Sequence, residues 1–112
     1  MQKILIVEDE KSISNILENI LSDEIQGSEI TIAENGLDAY KLIEKNDFDL
    51  IISDIKMPKL SGTELLSQSL SIKPESVFVM ISGHADIDTA VSCLKNGAYD
   101  FISKPIDINR LI

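Results

Sequence analysis

Apolar residues follow two alternating patterns along this chain. Ile4-Leu5-Ile6-Val7 is a continuous run, the pattern of a strand buried on both faces of a parallel sheet. Behind it Ile13, Ile16, Leu17, Ile20 and Leu21 recur at spacings of three and one, which predicts a helix with one apolar face. The alternation then repeats. A second strand is predicted from Ile30 to Ala33, and Asn35-Gly36 is a turn into a helix whose apolar residues are Ala39, Tyr40, Leu42 and Ile43. A third strand runs from Leu50 to Ser53, Pro58 and Gly62 mark a loop, and Leu65, Leu66 and Leu70 predict a helix ending before Pro74. Val77 to Ile81 predicts the fourth strand. Ile87, Ala90, Val91 and Leu94 form the stripe of a fourth helix, with Asp86 and Asp88 at its positive end and Gly97 after its last turn. Tyr99 to Ile102 predicts a fifth strand, Lys104-Pro105 breaks it, and Asp107 is placed to cap a last helix that has barely begun at Ile112.

Alternating strands and helices imply an α/β fold, with a parallel sheet, right-handed crossovers and helices on both faces. In such sheets the site lies outside the carboxyl ends of the strands, where strand order reverses. A length of 112 residues fits one domain, and nothing reads as a linker. The net charge of −9 argues against binding a nucleic-acid backbone. The apolar runs are far shorter than the ~20 residues of a membrane span, and the start lacks the basic and long apolar regions of a signal peptide. A single cysteine, Cys93, excludes an internal disulfide and makes a reducing cytoplasm the simplest location.

The residues after the strands carry the chemistry. Glu8-Asp9-Glu10 follows the first strand and Asp54 ends the third, so at least three carboxylates crowd one rim. Protonation, a lysine or a hard divalent cation relieves such crowding. Magnesium suits it best, because it takes oxygen ligands, uses one or two carboxylates and accepts phosphate as a further partner; Asp9 and Asp54 would supply the carboxylates. Ser82 after the fourth strand and Lys104 after the fifth add a hydroxyl and an ammonium. A transferring phosphoryl group needs a metal, a point cation and hydrogen-bond donors around its equatorial oxygens, and this set can provide all three.

With Glu8-Asp9, Asp54 in the string SDIKMP, Ser82-Gly83 and Lys104-Pro105 in place, the whole chain resembles the receiver domains of bacterial two-component response regulators. The stretch ISGHADIDTAVSCLKNGAYDFISKP is most similar to receivers of NtrC-type transcription activators that work with the alternative sigma factor 54. The resemblance implies a flavodoxin-like, doubly wound sheet of five strands in the order 2-1-3-4-5. It implies a receiver domain over residues 1–112 that ends within a truncated fifth helix, with the effector domain absent from this sequence. It makes Asp54 the phosphoacceptor, gives Glu8, Asp9 and Asp54 a magnesium ion with the backbone carbonyl of Lys56, and sets Ser82 and Lys104 against the phosphoryl group. Phe101 falls at the aromatic switch position, and the Lys104-Pro105 bond is expected to be cis. Implied partners are a sensor histidine kinase, the missing effector and a second copy docking through the fourth helix, fifth strand and fifth helix. The domain would catalyse its own phosphorylation and dephosphorylation without being a turnover enzyme. Ser82 stands where the family often has Thr, and Glu8 where it often has Asp; both keep the chemistry.

Blander readings stand beside these. A lone Asp at a strand end is normally a solvated carboxylate, Lys before Pro a surface residue and Ser-Gly a turn; their register against the strands promotes Asp54, Lys104 and Ser82. Phe101 can be read as core, His84 as a solvated loop residue, Cys93 as an inert thiol beside the helical stripe, and Met57-Pro58 as loop architecture. A flavodoxin-type carrier needs a Ser/Thr/Gly-rich loop after the first strand, where this chain has three acids. An aspartyl phosphatase usually has a second Asp two residues after its nucleophile, where this chain has Lys56. A degenerate receiver acting only as a docking module would have no need of the full acid, hydroxyl and lysine set.

Overall fold

In the computed structural model, residues 2–57, 59–83 and 86–104 are described. Among them the chain forms β1 (Lys3–Val7), α1 (Lys11–Glu24), β2 (Glu29–Ala33), α2 (Gly36–Lys45), β3 (Leu50–Asp54), α3 (Gly62–Ile72), β4 (Phe78–Ser82), α4 (Ile87–Lys95) and β5 (Asp100–Ser103). The strands make one parallel sheet in the order β2-β1-β3-β4-β5, so the chain reverses direction across the sheet between β2-β1 and β3. His84, the Lys104-Pro105 peptide bond and the last helix expected from Asp107 lie outside the described residues.

Alternation along each strand sends side chains to two cores. Leu5, Val7, Ile51, Ile55, Phe78 and Met80 pack with Ala39 and Ile43 of α2, Leu65 and Leu66 of α3, and Ala90 and Cys93 of α4. Ile4, Ile6, Ile52 and Ile81 pack on the other face with Leu17 and Leu21 of α1. The central strands β1, β3 and β4 are therefore buried at nearly every position, whereas the edge strands β2 and β5 are only partly buried.

Two helical stripes differ from expectation. In α1 the buried residues are Ser14, Leu17 and Leu21, while Ile16 is exposed. In α4, Ala90 and Cys93 point inward, and Val91 and Leu94 face out. A helix of nine residues has too few turns for apolar period alone to choose between adjacent faces. Cys93 thus belongs to the core rather than beside it. The last two strands lie one residue later than expected, which makes Ser82 the final residue of β4 and leaves Tyr99 outside β5, 77% exposed.

The connection from β3 to α3 is drawn tight against the sheet. Gly62 donates its N–H to the Ile55 carbonyl at 2.7 Å, and a Cβ at Gly62 would run into the carbonyl oxygen of Asp54. Only glycine lets the backbone approach so closely. Gly97, at φ +115, ends α4 in a conformation that favours glycine.

Candidate functional site

Four strand ends meet at the carboxyl edge. β1 delivers Glu8, whose side chain is fully buried, and β3 delivers Asp54, almost equally so. β5 continues one residue past its end through a bond from the Lys104 N–H to the Ser82 carbonyl at 2.9 Å, which fixes Lys104 against the end of β4. From that position Lys104 Nζ donates to Asp54 Oδ2 at 2.9 Å and lies 3.7 Å from Glu8 Oε1 and 3.8 Å from Glu10 Oε1. One ammonium thus serves three carboxylates.

Burial alone would lower the Lys104 pKa, but the hydrogen bond to Asp54 and the charges of Asp54, Glu8 and Glu10 outweigh it and raise it. Glu8 responds in the opposite sense to an ordinary surface acid. Burial pushes its carboxyl up from 4.5 to about 7, helped by the negative charge of Asp54 and a bond with Asp9 and opposed by the Glu10 N–H and Lys104. The Glu10 N–H reaches Glu8 Oε2 at 3.1 Å, whereas Oε1 is buried with no hydrogen-bond partner among the described residues. The ligand oxygens of Glu8, Asp9 and Glu10 lie within 4.8 Å of one another. A buried carboxylate oxygen lacking a donor, beside two further acids, fits a hard divalent cation with oxygen ligands.

The expected residues divide as follows. Glu8, Asp54 and Lys104 are in mutual reach, and Asp9 joins Glu8. The Lys56 N–H approaches Asp54 Oδ1 at 3.4 Å, a long contact, and its ammonium pairs with Asp86 at 3.2 Å. Ser82 is fully buried, with Oγ donating to the Gly83 carbonyl at 2.9 Å. Phe101 is half-buried against the core on the α2–α4 face, its strand partner is Met80, and Ser82 is two residues beyond Met80 on that same face. Sequence reasoning missed two contacts. Glu10 was visible in the acidic run yet given no role, and the Lys56–Asp86 pair joins residues too far apart in sequence for any local signal.

Among the described residues no helix is long and apolar enough to cross a membrane. Residues 4–112 match the family described as the response regulator receiver domain. The nitrogen assimilation regulatory protein NtrX of Azorhizobium caulinodans is 43% identical over 111 residues, and the DNA-binding transcriptional regulator NtrC of Escherichia coli K12 is 33% identical over 109. Each match takes in 97% of this chain but only 24% and 23% of those proteins, so the chain spans about a quarter of their length. The crystal structure of the receiver domain of NtrX from Brucella abortus superposes with a TM-score of 0.89 at 42% identity, over 96% of this chain and 90% of that one.

Proposed function

Since the chain belongs to the receiver domains of two-component response regulators, we propose that Asp54 accepts a phosphoryl group from a sensor histidine kinase. The carrying observation is the Asp54 carboxylate at the carboxyl end of β3, held at 2.9 Å by Lys104 and flanked by buried Glu8. A bound cation and a second group of negative charge are what this rim is built to take. Lys104 neutralises a phosphoryl oxygen and keeps the carboxylate oriented for in-line attack. The Ser82 hydroxyl turns from the Gly83 carbonyl to a phosphoryl oxygen, and Phe101, on the same face of the sheet, repacks into the space it leaves. The buried acids fit magnesium: Glu8, Asp9 and Asp54 would hold it with the Lys56 backbone carbonyl, and when bound it neutralises charge developing on the transferring group.

The domain accordingly acts as a signalling module that catalyses its own phosphorylation and dephosphorylation. Its output is transcription regulation in the cytoplasm, through an effector region of the whole protein. The relatives named as transcriptional regulators support that output. The outward Val91, Leu94 and Tyr99 support a homodimer face built on α4 and β5. Incubation with magnesium and acetyl phosphate, followed by intact-mass measurement, is expected to give one phosphoryl adduct that Asp54→Asn abolishes. An equal adduct in that variant overturns the assignment.

A further inference from the structure

The start of α4 is built unlike those of α2 and α3. Asn35 and Ser61 precede α2 and α3 with extended backbones, at φ/ψ −154/165 and −69/161, and their side chains accept bonds from the Asp38 and Glu64 N–H groups at 2.8 and 3.3 Å. Asp86 holds the same place before α4, and aspartate caps as well as either. Its backbone, however, sits at φ −111, ψ 17, and its side chain makes no capping bond. The carboxylate instead holds Lys56 Nζ at 3.2 Å. Lys56 stands two residues after Asp54, and its own N–H points at Asp54 Oδ1. With the lysine side chain 75% exposed and that of Asp86 16% exposed, the lysine is the partner free to move.

We infer that Lys56 exchanges partners when Asp54 is phosphorylated: its ammonium leaves Asp86 for the phosphoryl oxygens, and the released Asp86 carboxylate turns to cap α4. The inference rests on the phosphoacceptor reading above and names a route by which that site regulates α4. Phosphorylation raises the negative charge at residue 54 from one to about two and adds strong acceptor oxygens. The single charge of Asp86 then competes poorly for an ammonium anchored two residues from the new group. Asp86 does not remain unsatisfied, because the N–H groups of Asp88 and Thr89 and the helix dipole favour a carboxylate at that position. Its backbone must swing to the extended geometry already seen at Asn35 and Ser61, so the first turn of α4 changes shape. The charge added at β3 thus reaches α4 through one ion pair, separately from any movement of Ser82 or Phe101.

Amide hydrogen exchange at Asp88 and Thr89, followed by NMR on the whole chain, tests the exchange of partners. The adduct is first verified by mass after treatment with magnesium and acetyl phosphate. With the adduct formed, exchange at these amides is expected to slow about fivefold, the effect of an ordinary cap. Lys56→Met is expected to show the slowed exchange without phosphorylation and no further slowing with it. Asp86→Ala is expected to exchange fast in both states. Unchanged exchange in a fully phosphorylated wild-type chain overturns the inference, as does an unphosphorylated Lys56→Met that exchanges at the wild-type rate. A chain that forms no adduct sinks the phosphoacceptor reading alone, because the unphosphorylated Lys56→Met comparison still decides whether Lys56 holds Asp86 from its cap.

Discussion

Glu8 shows how one residue can oppose the stability of the fold and serve its site. Its carboxyl is pushed up to about 7, chiefly by burial. An acid whose pKa is higher in the folded state than in the unfolded chain binds its proton more tightly when folded. Metal-free protein therefore loses stability as pH rises from about 4.5 through 7, and the loss is complete above that window. Thermal melts in EDTA are expected to give a lower Tm at pH 8 than at pH 5.5. Glu8→Gln should flatten this dependence and raise the Tm at pH 8, because a neutral amide carries no ionisation penalty in that position. The same substitution is expected to weaken magnesium binding severalfold in titration calorimetry. A variant that gains apo stability without losing magnesium affinity would remove Glu8 from the proposed magnesium site.

At the scale of elements, the loop from β3 to α3 and the start of α2 hold the site in shape. Gly62→Ala drives a methyl group into the Asp54 carbonyl oxygen, a backbone atom that cannot yield without moving the proposed phosphoacceptor. Overpacking of this kind costs ~1–3 kcal/mol, so urea unfolding should show that loss, with adduct formation by acetyl phosphate slowed in step. Asn35 accepts from the Asp38 N–H and donates to the Asp38 carboxylate at 3.0 Å. Asn35→Ala removes both bonds and is expected to cost ~1 kcal/mol of stability. Both side-chain bonds of Asn35 stay within the first turn of α2 and include none of Glu8, Asp54 and Lys104, which predicts an unchanged rate of phosphorylation and separates a structural cap from a site residue.

For the whole molecule, the outward apolar residues of α4 and the exposed Tyr99 form the surface on which a second copy is proposed to dock. Each chain carries a net charge of −9, so two copies repel at low ionic strength. Sedimentation with magnesium and beryllofluoride is expected to show self-association that strengthens as salt rises to physiological levels. Leu94→Glu should abolish it, because it removes ~1.5–3 kcal/mol of apolar burial on each side and adds two like charges. Dimerisation that survives Leu94→Glu would place the contact on another face.

The sequence by itself determined the parallel α/β architecture and the rim residues. Strands buried on both faces read as apolar runs, and residues at or just past their carboxyl ends must gather at one edge; Glu8, Asp54, Ser82 and Lys104 were legible for that reason. The strand order and the role proposed for Asp54 came from resemblance to a family, since alternation alone permits several windings. Only the tertiary structure decided which face of each helix is inside. Ser14 displaced Ile16 and Cys93 displaced Val91 and Leu94, because neighbouring arcs of each helix both carry small or apolar residues and the sheet beneath selects one. It alone decided that Lys104 reaches Glu8, Asp54 and Glu10 together, and that Asp86 holds Lys56 in place of capping α4. Charge pairs depend on distances in space between separate loops, and a pattern read along one strand of sequence carries no measure of those distances.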